Sequence, residues 1–250
     1  MRRRTGAGPS VSRQATIVAY WGDKPPLLAA LLDRLRALFM DELGSAFRPY
    51  APEQVHATLV GVERLPGGMR NRRLARVGPC PDMDLAGLRQ RLLESARLPM
   101  PVRVGGFRAG EGVFVSRGEE PYTRSFSLQG DKAVLMGWPV VGGEAPSGDL
   151  DRLRREALLH HVLHAWHEEP GSVDDDLYMR IGLVDLDAGR TQCAAAVAAA
   201  RHLLSEVVPL RFSLAAGDLS VASYVDEALP PSSTEVVPLA EVSDWSSLYD

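Results

Sequence analysis

Gln54-Val-His-Ala-Thr-Leu-Val-Gly-Val62 is the stretch that decides how this chain is read. It is rich in β-branched residues and short, so it reads as a strand. Residues two apart on a strand share a face, so His56 and Thr58 project together while Val55, Ala57 and Leu59 point the other way. An imidazole beside a hydroxyl can move a proton and hold a phosphate oxygen. The plainer reading of the same pair is a half-buried strand with two surface polar residues.

Outward from this strand the pattern is mixed. Ala15 to Trp21 is a β-branched and aromatic run, expected to be a strand, and Leu27 to Leu43 carries leucines at helical spacing behind Pro26, ending near Gly44. Residues 63–83 have no period and read as a loop. Asp84 is expected to cap a helix to about Ser95. Pro101 to Phe107 reads as a strand. Arg124 to Gln129 and Ala133 to Val140 are expected to form a hairpin about Gly130-Asp131, followed by a loop over Gly142 to Gly148. Asp149 to Glu169 reads as one long helix stopped by Pro170-Gly171. Leu177 to Val184 is a strand, Thr191 to Val207 a helix, and Arg211 to Leu214, Leu219 to Val225 and Glu235 to Leu239 are strands. Residues 1–13 are expected to be a disordered basic arm, 14–242 one domain with an insertion over 63–100, and 243–250 a loose tail. Such an order predicts an α+β fold with an antiparallel or mixed sheet, not strict βαβ alternation. Leu177-Tyr-Met-Arg-Ile-Gly-Leu-Val184 faintly echoes Val55 to Val62, as two related lobes would.

Composition narrows the function. The 250 residues carry 28 basic and 32 acidic side chains, a net charge of −4, with 45% hydrophobic and 24% charged residues. That is ordinary globular usage, and it gives no global basic field for duplex DNA or an anionic membrane surface. No apolar run approaches the roughly 18–20 residues that span a bilayer. Cys80 and Cys193, with no CxxC, argue against a disulfide framework and for a reducing compartment, so a cytoplasmic location is expected. Neither the P-loop and dinucleotide glycine patterns nor a serine nucleophile elbow occurs.

His56-Ala57-Thr58-Leu59, in its strand–helix–strand setting, resembles the first His-x-Thr/Ser motif of the 2H phosphoesterase superfamily, which includes RNA 2′,3′-cyclic phosphodiesterases and 2′–5′ RNA ligases. Phe126-Ser-Leu-Gln-Gly and the hairpin to Trp138 look like its middle strands. The resemblance implies a two-lobed, pseudosymmetric fold with sheets flanked by helices, spanning most of residues 15–225. It also implies a metal-independent reaction with no cofactor at a cyclic phosphate of RNA or a nucleotide, with two histidines as general base and acid and two hydroxyls on the phosphate.

The second motif departs from that pattern. On the echo strand, Tyr178 stands at the histidine position and Arg180 at the Thr/Ser position. A tyrosine with a pKa near 10 is a poor acid unless shifted, whereas arginine binds phosphate well through its planar fork. The site is then a one-histidine enzyme using Tyr178 or another histidine for the second proton, or an inactive nucleotide- or RNA-binding module, or the echo is misaligned.

Other candidates lie elsewhere. Leu159-His-His-Val-Leu-His-Ala-Trp-His-Glu-Glu169 holds four of the six histidines. On a helix His160, His164 and His167 would share a face, with His161, His164 and Glu168 on another. His164 belongs to both and is the expected member of a site. With Glu168 or Asp174-Asp-Asp176 these histidines offer a zinc reading, although the spacing is not His-Glu-x-x-His, and a helix edge with hydrogen-bonded or solvated histidines is the plainer reading. Tyr122 and Arg124 are expected on one strand face, with Arg124 and Arg180 forming an anion clamp and Trp138 stacking a base. A structural arginine and a core tryptophan are the plainer readings. Arg70-Asn-Arg-Arg-Leu-Ala-Arg76 is a basic run, either a solvated loop or a contact for an RNA backbone.

Overall fold

A computed structural model describes residues 12–142 and 145–250. In chain order the strands and helices are β1 (Gln14–Ala19), α1 (Pro26–Leu43), β2 (Phe47–Pro49), β3 (Ala57–Gly61), α2 (Leu74–Val77), α3 (Leu85–Leu93) and β4 (Met100–Val104). There follow α4 (Pro121–Ser125), β5 (Phe126–Gln129), β6 (Lys132–Val141), β7 (Ala145–Pro146), α5 (Asp149–Glu156), β8 (Leu177–Val184), α6 (Arg190–Glu206), β9 (Leu210–Leu214), β10 (Leu219–Tyr224) and β11 (Glu235–Pro238).

The leucine spacing of α1 buries Leu28, Leu31, Leu32, Leu35, Phe39 and Leu43 along one stripe. Each such side chain contributes roughly 1.5–3 kcal/mol when fully buried. The helix stops at Gly44, whose φ of 54° suits glycine and whose N–H bonds the Met40 carbonyl. Asp84 caps α3 as expected, accepting from the Gly87 N–H.

The sheet is antiparallel throughout, with its main path in the order β11-β10-β1-β3-β8-β6-β4-β9. Its two halves, β11 to β3 and β8 to β9, meet at a single paired position, Ala57 opposite Met179. Helices α1 and α6 pack together on one face over the main core, which takes in Ala57, Leu59, Met179 and Ile181. The opposite face is left for the polar side chains that alternate with these residues.

Four expectations give way. Residues 157–169 do not continue α5. A short 3-10 turn, Ala157–His160, is closed by His161 in the left-handed region at φ 59°, and a second turn covers Ala165–Glu168. The break follows from long-range partners, because His164 and His167 each reach a buried aspartate that a continuous helix would carry away. Tyr122 and Arg124 lie on the single-turn helix α4, not on a strand. The residues after Val242 are packed down. Leu248 and Tyr249 are buried, Tyr249 Oη donates to the Val62 carbonyl at 2.7 Å, and Ser223 Oγ donates to the Leu248 carbonyl. Arg13, placed with the arm, donates to Ser223 Oγ and its carbonyl, both at 2.9 Å; residues 1–11 lie outside the described residues.

Candidate active site

At the junction of β3 and β8 the sheet face opposite the helices bears a cavity of about 300 Å³. Its walls include His56, Thr58, Tyr178, Arg180 and His164, together with Arg117, Arg154, Trp166 and Asp174. The register explains the first four. With Ala57 opposite Met179, one step along an antiparallel pair sets Thr58 beside Tyr178 and His56 beside Arg180, all turned away from the core. Three larger hollows on the surface contain none of His56, Thr58, Tyr178, Arg180 and His164.

His56 sits just before β3, against the Trp21 ring at 5.4 Å between centroids. Its Nδ1 lies 2.6 Å from the Gln54 carbonyl. A carbonyl only accepts, so Nδ1 carries the proton and Nε2 keeps its lone pair, with no hydrogen bond among the described residues. Burial pushes the imidazole down to about 4; the Gln54 bond works the other way, and the charges of Arg180 and Lys24 add to the lowering. Near neutral pH the ring is an uncharged base.

His164 reaches the cavity from an extended residue at the head of the Ala165–Glu168 turn. It is 6% exposed. Its Nε2 lies 2.7 Å from Asp174 Oδ2, and its Nδ1 is shielded from water with no hydrogen-bond partner. Burial pushes this ring down to about 4 as well; Arg154 also lowers it, while the Asp174 bond and charge oppose the shift. Asp174 itself would be raised by burial, but Arg154, His164 and Arg117 hold it well below the usual carboxylate range.

Arg154 is the hub. Its Nε and Nη2 donate to the carbonyls of Leu59 (2.9 Å) and Thr58 (2.8 Å), and its Nη1 to those of Asp174 (3.0 Å) and Asp176 (3.1 Å). Those two β3 carbonyls need it for a stated reason. The pairing of β1 with β3 jumps from Ile17–Val60 to Val18–Thr58, which leaves Leu59 as the extra residue of a bulge beyond the last β8 pair. The guanidinium therefore supplies donors where the sheet splits.

Arg124 and Trp138 go elsewhere. Trp138 is 1% exposed, wedged between Phe107 and Phe114, with Nε1 donating to Asp176 Oδ1 at 2.6 Å. Arg124 is ion-paired with the same carboxylate, and Tyr122 packs on the apolar cluster around Trp138. None of the three lines the cavity, so the anion clamp of Arg124 with Arg180 and the base stacking by Trp138 are both corrected: these side chains satisfy a buried aspartate or fill a core. A tryptophan that does line the cavity, with Tyr178 and Tyr224, is Trp166, 48% exposed and lying under the Arg117 guanidinium at 3.6 Å.

The histidines of residues 160–167 form no shared face. His160 bonds Asp84, His161 the Asp82 carbonyl, and His167 Asp151. Among the described residues no group of three or more His, Cys, Asp or Glu side chains is arranged to hold a metal ion, and the zinc reading loses its ligand set. Arg73 of the basic run is ion-paired with Glu168 and lines the cavity wall. Sequence reading missed Arg117, Arg154, Trp166 and Trp21. Asp174 was visible within its acidic run, but the arginines carried no local signal. No described helix is long and apolar enough to cross a membrane.

Fold and cavity together define an α+β protein with a cation-lined cleft between the halves of one antiparallel sheet. No protein-family model matches the sequence, and no curated protein does. Among solved structures the chain is similar to the Thermus thermophilus protein TT0787, with 14% identity over 90% of this chain and 93% of that one and a TM-score of 0.43. It is also similar to E. coli LigT complexed with NADP+, with 13% identity, 91% and 94% coverage and a TM-score of 0.40, and to a phosphoesterase, with 13% identity, 90% and 95% coverage and a TM-score of 0.37.

Proposed function

We propose that the chain is a 2H-type phosphoesterase acting on a cyclic phosphate of RNA or of a nucleotide, without a metal. One observation carries this: His56, Thr58 and Arg180 line one cleft. Arg180 neutralises a phosphate and Thr58 donates to one of its oxygens. The lone pair on His56 Nε2 takes the proton from the attacking water. Water adds to phosphorus, the bond to one ribose oxygen breaks, and that oxygen leaves as a hydroxyl once it receives a proton. Tyr178 and His164 are two groups lining the cleft that can supply it.

Hydrolysis of 2′,3′-cyclic nucleotides by the wild type and by His56→Ala tests this reading. We expect turnover that His56→Ala abolishes. A second reading, a nucleotide-binding module without turnover, is favoured by Tyr178 and Arg180 on β8, where the family pattern has a histidine and a hydroxyl. It is the result if the cyclic nucleotide binds, no product forms, and His56→Ala changes nothing.

A further inference from the structure

His164 is unusual in this molecule. It is buried, it lines the cavity, and one ring nitrogen is bound to a carboxylate while the other has no partner. An orphaned buried polar atom costs about 1–3 kcal/mol. A purely structural imidazole would be expected to spend both nitrogens. His160, His161 and His167, bound to Asp84, the Asp82 carbonyl and Asp151, leave no such buried atom.

The surroundings of the ring are specific. Asp174 Oδ2 receives Nε2–H, and the same carboxylate is ion-paired with Arg154 at 3.1 Å and with Arg117. The His167 ring meets His164 edge-on at 5.3 Å and is itself tied to Asp151, which also accepts the Asp174 backbone N–H. Four charged or titratable neighbours thus face or back the imidazole: Asp174, Arg154, Arg117 and His167. The carboxylate is fixed from two sides, so it dictates the ring's orientation and tautomer. Nε2 holds the hydrogen, and Nδ1 is the nitrogen that can gain or lose one.

We infer that His164 is the second proton-transfer group of this cleft, standing in for the histidine that β8 lacks, and that Asp174 is its positioning residue. The inference rests on the phosphoesterase reading above and adds to it the origin of the second proton. A bound phosphate adds negative charge to the cavity, and with Asp174 it favours the imidazolium. Nδ1–H of that imidazolium then passes its proton to the departing ribose oxygen, while His56 holds the proton taken from water. Release of product lets the two rings return to their starting states through solvent. Because Nδ1 is shielded from water, the ligand must displace the side chains over it, and Trp166, two residues on and half-exposed at the same cavity, reports that movement.

The test compares pH–rate profiles on a 2′,3′-cyclic nucleotide for the wild type, His164→Gln, Asp174→Asn and Asp174→Glu, with His56→Ala as the control. His164→Gln is expected to lower kcat about 10² to 10⁴-fold with little change in KM, the range for loss of a general acid. Asp174→Asn should lower kcat and move the limb of the profile that belongs to the acid to lower pH, since the imidazolium loses its counter-charge. Asp174→Glu should restore part of both. A structural role for Asp174 would lower activity without moving a limb. If Asp174→Asn fails to fold, His164→Gln, which leaves the carboxylate paired with Arg154, decides alone. Wild-type kcat in His164→Gln, with His56→Ala inactive, overturns the inference and leaves the phosphoesterase reading standing. If His56→Ala matches the wild type, that reading falls and this inference falls with it.

Discussion

The two strands that meet at the cleft face it with different chemistry. The β3 wall offers a neutral imidazole and a hydroxyl; the β8 wall offers a phenol and a guanidinium. Both are placed by the same physical device, a two-residue alternation that buries Ala57 and Leu59 on one strand and Met179 and Ile181 on the other. The scaffold is repeated and the reactive groups are not. A sheet fixes where a side chain projects, whereas the proton chemistry depends on what surrounds it, so one lobe can lose its imidazole without losing its geometry. On the reading inferred above, the second imidazole comes from outside the sheet, on a turn pinned by Asp174.

Substitutions can break or sharpen that contrast. The largest effect is expected at His56→Ala, a fall in kcat of about 10² to 10⁴-fold, measured by product release from a 2′,3′-cyclic nucleotide. Next is Arg154→Met, which leaves Asp174 buried with part of its compensating charge gone and four carbonyls short of donors. A loss of about 3–5 kcal/mol is expected in denaturant unfolding. Arg180→Ala should weaken phosphate binding by about 10 to 100-fold in Kd by calorimetry, the equivalent of a charge-assisted hydrogen bond, while leaving the fold intact. Tyr178→Phe is expected to change kcat by less than about threefold. A loss comparable to that in His56→Ala would make the phenol the acid and erase the asymmetry between the walls.

Acid should act on both histidines in the same direction. His56 and His164 are each held near 4 in the folded chain against about 6.5 when unfolded. Between those values the unfolded chain binds more protons, so stability is full above about pH 6.5 and falls as pH drops towards 4. Thermal unfolding of the wild type and of the His56→Gln, His164→Gln double variant from pH 7 to 4.5 checks this. The double variant should lose less.

Much of the frame was legible because it is periodic. The leucines of α1, the capping Asp84, the Gly130 turn and the alternation in β3 and β8 each place an element within one to three residues of where it lies. What was not legible depends on partners distant in sequence. The run 157–169 has a helical pattern, yet bonds from His164 to Asp174 and from His167 to Asp151 outweigh local propensity and break it. Trp138 stayed open between a base-stacking platform and a core ring, because nothing local shows that Phe107 and Phe114 close over it. Residues 243–250 looked loose because their polar sequence hides Leu248 and Tyr249, which are buried where the tail packs against β1 and bonds to Ser223 and Val62. Arg154 had no signature at all: its role comes from a bulge in another strand.

That arginine also governs how the cleft behaves when something enters. Its one guanidinium is bonded to the backbone on both sides of the split, so neither side can swing without tearing the other's hydrogen bonds. The width between them is set in the empty protein. Selection among ligands therefore falls to fit against a preset gap, and adjustment on binding is left to the Trp166 turn and the side chains at the rim.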